Sequence, residues 1–415
     1  MGFFSLKQTS SDKVVGRSQT CASCGLYKNA EHPKMEPSGG FQKEVLIIGG
    51  APTIIEDKKG RIWGDAAGVF LKNTLREYGF SLEESILSAY AVQCLPLNEN
   101  GAYRAPNSHE ILCCRSKVQT IIKHHKPKVI ILLGAAALES IIGKEWKESL
   151  GSLAKWRGWI IPDKNLQAWV CPTFHPADVL QDEMQVETAF KADLKKALSM
   201  VKVPFPEEMD VDKRVTILNT RQEIRAVLEG ILAGPLYPDL PFVSFDYETT
   251  GISPYDTTKH KIICASICPN EFQSYSFMMP YKSKSCMQLW QEILQTDRFG
   301  KMAHNLKFEQ TWTTVLLQYP VKNWKWDSML AAHLLDNREG ITRLKFQVYI
   351  HFGAPDYSSE IQPYLESGSK NSNDTNRIEE LVKTETGKQK LLMYCGLDSL
   401  YEFRLAVKQM REVGE

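Results

Sequence analysis

The sequence predicts two joined folds, an α/β unit followed by an α+β unit, and three observations carry that expectation. Short β-branched or apolar runs alternate with helical periodicity through the first half. The second half instead groups its strand-like runs early and its helical patterns late. Between the halves, residues 200–213 (MVKVPFPEEMDVDK) carry two prolines and an acidic cluster without periodicity, which marks a linker. The expected domains are therefore 1–202 and 214–415, joined by 203–213.

In the first half the strand-like runs are 45–50 (VLIIGG), 86–93 (ILSAYAVQ), 128–134 and 168–174 (AWVCPTF), with helical periodicity over 65–79 and 108–125. Apolar runs of this kind belong to strands buried on both faces, so a parallel sheet covered by helices on each side is expected. The second half opens on VTILNT and a helix-like stretch from Arg221 to Leu232. Strand-like runs follow at 242–248, 262–268 and 272–279, and helical patterns dominate after Gly300. The polar stretch 357–376 reads as an exposed loop able to order on DNA.

Composition narrows the classes. Hydrophobic residues at 43% and charged residues at 24% are ordinary globular proportions, which excludes long disorder and fibrous repeats. Fifty Lys and Arg against forty-nine Asp and Glu leave a net charge of +1, so any nucleic-acid contact must come from local patches. No apolar run is long enough to span a membrane and no signal core opens the chain, so a cytoplasmic location is expected. Ten cysteines in a reducing compartment suggest core thiols or metal ligation rather than disulfides.

The chemistry-bearing run of the second half is Phe242–Gly251, FVSFDYETTG. A strand there puts Asp246 and Glu248 on one face, where their repulsion calls for a cation. Metal-assisted phosphoryl transfer uses such a pair, although a D-x-E alone also suits a solvated strand face. Two further motifs follow in order. His304-Asn305-Leu306-Lys307-Phe308-Glu309 opens a helix, and Tyr394-Cys395-Gly396-Leu397-Asp398 places Tyr394 and Asp398 four apart on a helix face. With WDSMLAAHLLD (Trp326–Asp336) and TRLKFQVYIHFG after it, residues 214–415 resemble the proofreading exonuclease domain of family A DNA polymerases, in the DEDDy superfamily.

That resemblance implies an RNase H-like exonuclease fold and a metal-dependent 3′–5′ DNA exonuclease using two Mg²⁺ (or Mn²⁺). By it Asp246 bridges both ions, Glu248 and Asp398 complete the tighter site, and Tyr394 orients the attacking water. Glu309 stands where the family has Asp, one methylene longer, which bears on rate. Asn305 and Phe308 are candidate DNA contacts, and Trp312 reads as core.

In the first half, Cys21-Ala-Ser-Cys24 is a C-x-x-C, and Cys94 and Cys114 supply two more thiolates. Spacing alone leaves zinc and an iron–sulfur cluster open. Gly49–Gly68 (GGAPTIIEDKKGRIWGDAAG), Phe174-His175-Pro176-Ala177 and the stretch from Cys94 to Cys114 resemble motifs of family 4 uracil-DNA glycosylases. This implies an α/β/α sandwich of uracil-DNA glycosylase type and a [4Fe–4S] cluster on Cys21, Cys24, Cys94 and Cys114, with Cys113 out of register. The family's pocket maps to Glu56, Trp63, Tyr90 and His175. Gly50 replaces an acidic residue, Trp63 replaces the aromatic that stacks on the flipped base, and Tyr90 replaces the Asn that reads uracil.

The combined expectation is an exonuclease with a glycosylase-like domain that binds DNA or a partner, as in the N-terminal part of certain bacteriophage DNA polymerases. No segment resembles a polymerase carboxylate motif, so either the polymerase is a separate polypeptide or the chain is a fragment of a longer one; a separate DNA polymerase subunit is the expected partner. A bifunctional repair enzyme with an active glycosylase, and a non-catalytic polymerase accessory subunit, are the alternatives.

Overall fold

The computed structural model describes residues 20–181, 185–206, 210–234, 241–354, 356–367 and 374–414. The chain divides into two compact units, one of Met1–Glu207 with Tyr349–Asp356 and the other of Glu208–Val348 with Tyr357–Glu415.

The first unit is built on strands β1 (Val45–Gly49), β2 (Ile86–Tyr90), β3 (Val129–Leu133), β4 (Ile161–Asp163) and β5 (Ala168–Thr173), in the order β2-β1-β3-β5-β4. β1, β2, β3 and β5 run parallel; β4 pairs antiparallel with β5 and closes one edge. Every residue of β1, β2 and β3 is buried, as a sheet covered on both faces requires. The helices begin where the sequence supplies caps. Thr53 and Glu56 form a capping box on Ile54–Lys59, and Asn107 and Glu110 do the same for Ser108–His125. The expected parallel sheet is thus present, with β4 as an antiparallel addition.

The second unit is a six-stranded mixed sheet of β6 (Val215–Leu218), β7 (Phe242–Thr249), β8 (Ile262–Asn270), β9 (Gln273–Met278), β10 (Gly300–Ala303) and β11 (Trp324–Asp327). The order is β11-β10-β7-β8-β9-β6, with β7, β8 and β9 antiparallel and β10 and β11 parallel to β7. Three antiparallel strands followed by two parallel ones, with the first strand central, is the RNase H-like arrangement. β6 adds to it beside β9.

Period-2 alternation divides the sheet's two faces. Val243, Phe245 and Tyr247 enter an aromatic core with Trp290 and Trp312, which settles Trp312 as core. The opposite face carries small or polar residues, and the long helix Glu385–Val413 lies across it. Hydroxyls tie the two together: Ser244 donates to the Ser399 carbonyl at 2.7 Å, and Ser266 to the Cys395 carbonyl at 2.7 Å. Gly396 permits the approach, because a Cβ there would meet Val215 at 2.3 Å.

Helices dominate after Gly300, as expected, with the short strands β10 and β11 among them. One expectation is corrected. The stretch 357–376 is not simply an exposed loop: Ser358 and Ile361 are buried, and Tyr357 bonds to Asp398 at 2.6 Å. Residues 368–373 of it lie outside the described residues.

Candidate functional site

On the helix side of β7, Asp246 and Glu248 project beside the helix that carries Tyr394, Cys395 and Asp398. Ligand atoms of Asp246, Glu248 and Cys395 lie within 4.8 Å of one another, the tightest such trio among the described residues. Glu248 and Asp398 are buried, and Asp246 is half-buried. Burial first, then the charge of Asp398, holds the Asp246 carboxyl well above the usual carboxylate range. Glu248 is raised in the same direction by burial and then by Asp246. Clustered acids with raised affinity for protons are the groups a divalent cation neutralises.

Asp398 is engaged by its neighbours, Tyr394 among them. Its Oδ1 accepts from the Tyr357 hydroxyl at 2.6 Å and from the Lys345 ammonium. Lys345 in turn lies over the rings of Tyr357 and Tyr394, 4.1 and 4.2 Å from their centroids. Tyr394 is buried, with its phenol raised by burial and then by Asp398, so it remains a neutral donor.

The second motif arrives from the next strand. Asn305 takes a left-handed conformation (φ 71°) ahead of the helix Leu306–Trp312. Asp327 fixes that turn by accepting from the backbone N–H groups of Asn305 and Leu306, each at 3.1 Å. Glu309 thereby points inward: it is 3% exposed, and its Oε2 has no hydrogen-bond partner among the described residues. Asp246 is the foremost charge raising its carboxyl after burial itself. Glu402 is a further buried acid, pushed up to about 8 by burial, and its Oε1 is likewise unpartnered. Ser328 joins Glu402 to His304, whose Nδ1 lies 2.8 Å from the Ser328 hydroxyl. Phe308 is half-buried against Trp312, with ring centroids 5.7 Å apart.

The structure therefore brings Asp246, Glu248, Asp398, Tyr394 and Glu309 into one neighbourhood. Sequence reasoning missed Lys345, Tyr357, Asp327 and Cys395 as members of it. Cys395 sits inside the third motif and Lys345 inside the run TRLKF, so each was in view without a signal of its role.

In the first unit, candidate residues collect at the carboxyl ends of the parallel strands, the usual crevice of an open α/β sheet. Glu56 is only 1% exposed and its carboxylate is fully employed. Oε1 accepts from the Tyr90 hydroxyl at 2.7 Å and the Gly64 N–H at 3.1 Å, while Oε2 accepts from the Thr53 N–H at 2.9 Å. Trp63 is 2% exposed and stacks on His175, with centroids 5.6 Å apart and an interplanar angle of 28°. Tyr90 tilts against the same indole at 5.3 Å. Gly49 admits both rings: a Cβ there would lie 2.8 Å from Tyr90 and 2.9 Å from Trp63. Trp63 thus packs against both Tyr90 and His175. Trp63→Ala should cost about 3–5 kcal/mol of stability, as other buried aromatic truncations do, and thermal unfolding would show it.

Cys21 and Cys24 occupy one short helical turn closed by Gly25 in the left-handed region (φ 74°). Cys94 follows β2, and Cys114 is on the helix Ser108–His125. Burial raises the Cys114 thiol to about 11, with Cys24, Cys94 and Cys21 adding to the rise, so the four thiols are electrostatic neighbours. Cys113 instead contacts Ser23 at 3.3 Å. No three of these thiols fall within 4.8 Å of one another among the described residues. A tetrahedral zinc with Zn–S of about 2.3 Å would draw its sulfurs to roughly 3.8 Å apart. By donor type, four thiolates suit either zinc or an iron–sulfur cluster.

No described helix is long and apolar enough to cross a membrane. Residues 37–200 match the model of the uracil DNA glycosylase superfamily. The chain is 28% identical over 196 residues to the type-4 uracil-DNA glycosylase of Sulfurisphaera tokodaii, covering 46% of this chain and 86% of that protein. It is 30% identical over 195 residues to the type-4 enzyme of Thermotoga maritima, covering 46% and 93%. Among solved structures, Escherichia coli RNase D, an exoribonuclease involved in structured RNA processing, is 14% identical with a TM-score of 0.34, over 48% of this chain and 44% of its own. The catalytic core of RRP6 from Trypanosoma brucei is 14% identical with a TM-score of 0.36, over 50% of each chain. Through its first unit, the chain belongs to the uracil DNA glycosylase superfamily.

Proposed function

We propose that the second unit is a metal-dependent 3′–5′ DNA exonuclease that releases 5′-mononucleotides. The observation that carries this reading is the convergence of Asp246 and Glu248 from the central strand with Tyr394 and Asp398 from the helix laid across it. The donor set suits Mg²⁺ or Mn²⁺: hard carboxylate oxygens, crowded and raised by mutual repulsion, with the orphaned Oε2 of Glu309 facing the same cluster. Asp246, Glu248 and Asp398 would hold the ions, with Glu309 beside them. When bound, such ions lower the pKa of water and neutralise charge on the phosphoryl group.

The chain's own residues supply position. Tyr394 donates from a neutral phenol and can orient a water for in-line attack. Lys345, clamped between two tyrosine rings, places a positive charge at Asp398 and at the incoming phosphate. Asn305, on the turn fixed by Asp327, and Phe308, on the helix that follows, are the residues proposed to contact the terminal nucleotide. Tyr394→Phe is expected to lower kcat about 100-fold with little change in KM, the range for losing a positioned donor, measured by single-turnover digestion.

For the first unit we infer a DNA- or partner-binding role built on a [4Fe–4S] cluster held by Cys21, Cys24, Cys94 and Cys114. The packing of the motif residues on one another supports this, because base excision needs room for a flipped base and free groups to read it. Trp63 packs against Tyr90 and His175, and Glu56 is engaged by Tyr90. A separate DNA polymerase is the proposed partner, passing frayed 3′ ends to the nuclease.

The test is digestion of a 5′-labelled oligonucleotide with Mg²⁺ and with EDTA, alongside alkali treatment of uracil-containing DNA. A Mg²⁺-dependent ladder from the 3′ end with no alkali-labile sites is expected. Alkali-labile sites would favour the bifunctional repair enzyme, and the absence of a ladder from folded protein would favour the accessory subunit.

A further inference from the structure

The nuclease cluster contains a ligand that hard-metal chemistry does not use. Cys395 Sγ lies 3.8 Å from Asp246 Oδ2, and Asp246, Glu248 and Cys395 can all present donor atoms within 4.8 Å of one another. The thiol is held there by backbone. Its carbonyl accepts from Ser266, and Ser266 sits opposite Asp246 in the sheet. Cys264, opposite Glu248 in the same pairing, backs the thiol with a second sulfur.

Mg²⁺ takes oxygen ligands at about 2.0–2.1 Å in near-octahedral geometry and leaves a thiol aside. Zn²⁺ is borderline-soft and binds thiolate at about 2.3 Å and carboxylate at about 2.0–2.2 Å, which in a tetrahedral site separates sulfur from oxygen by roughly 3.5 Å. The observed spacing is close to that. An independent feature also points to a missing cation: the Glu309 Oε2 is buried, unpartnered among the described residues, and beside Asp246.

We propose that this cluster binds thiophilic divalent cations such as Zn²⁺, Cd²⁺ and Co²⁺ through the Cys395 thiolate together with Asp246 and Glu248, in a mode distinct from the all-oxygen mode of Mg²⁺. The inference rests on reading these acids as metal ligands, and it adds that the site discriminates between metal classes. Binding forms one metal–sulfur bond and releases the thiol proton to solvent, with no redox step. Occupied this way, Asp246 and Glu248 no longer serve the hard ions, so Zn²⁺ inhibits.

The experiment is Co²⁺ titration of the full, cluster-loaded chain, read as the difference spectrum between wild type and Cys395→Ser, with Asp246→Asn as a second variant. A thiolate-to-cobalt charge-transfer band in wild type, absent from Cys395→Ser and weakened in Asp246→Asn, is expected. In parallel, the Zn²⁺ concentration that halves each protein's own Mg²⁺-dependent rate should rise about 10- to 100-fold in Cys395→Ser, as loss of ligand support does elsewhere. A band of equal strength in wild type and Cys395→Ser, or no band at all, overturns the proposal. The two readings fail separately. A Cys395-dependent band without digestion keeps the site and removes the nuclease, whereas digestion without the band does the reverse.

Discussion

Asp246→Ala is expected to lower Mg²⁺-dependent release of mononucleotides by about 1000-fold or more, some 4 kcal/mol of transition-state stabilisation. The size follows from position. Asp246 lies on the central strand, and it is the one acid that shares an electrostatic neighbourhood with Glu248, Asp398 and Glu309 alike. On the proposed reading, its removal takes away a metal ligand from the centre of the cluster.

The same substitution should act oppositely on stability. Without a cation, burial and mutual repulsion hold Asp246 and Glu248 above their ordinary values, so the folded chain binds protons more tightly than the unfolded one. Stability from these groups is then present below the ordinary carboxylate range and lost as pH rises through the raised values. Asp246→Ala should flatten that loss, giving an inactive protein that in EDTA melts higher than wild type near neutral pH. Thermal scans across pH check the sign. A variant that is inactive because it is unfolded would show the contrary.

The second large effect concerns the thiol set. Cys114→Ser should reduce bound iron from about four per chain to below about one and abolish the visible absorption of the cluster. It should also destabilise the first unit, because folding that gathers four thiols draws on metal-binding free energy. The unit keeps a sheet core of its own, so a lowered unfolding temperature is expected rather than collapse. Cys113→Ser, by contrast, should retain the iron, since Cys113 turns toward Ser23 and His109. Iron and sulfide analysis of the two variants side by side decides the ligand set.

The reach of the sequence ended where contacts became remote. Strands buried on both faces announced themselves as apolar runs, and Asp246 with Glu248 followed from period 2 alone. β10 and β11 did not, being four residues each, with Gly300, Lys301 and Lys325 diluting any strand pattern. Lys345 and Tyr357 meet Asp398 across 53 and 41 residues, and Cys395 meets Asp246 across 149, separations no local pattern encodes. In the first unit the exchanged residue types at 63 and 90 were readable one at a time. That these rings pack on one another and on His175 became visible only in three dimensions.

The packing of Trp63 on Tyr90 and His175 has a thermodynamic meaning. An enzyme that must admit a nucleobase carries an empty apolar cavity through every unliganded moment, at about 24 cal/mol for each Å³. A unit that binds DNA without excising a base, as proposed for this one, has no need of such a void, and closing roughly 100 Å³ would return about 2 kcal/mol. On that proposal, the packing of Trp63 against His175, with Tyr90 tied to Glu56, exchanges room for a base for a sturdier scaffold.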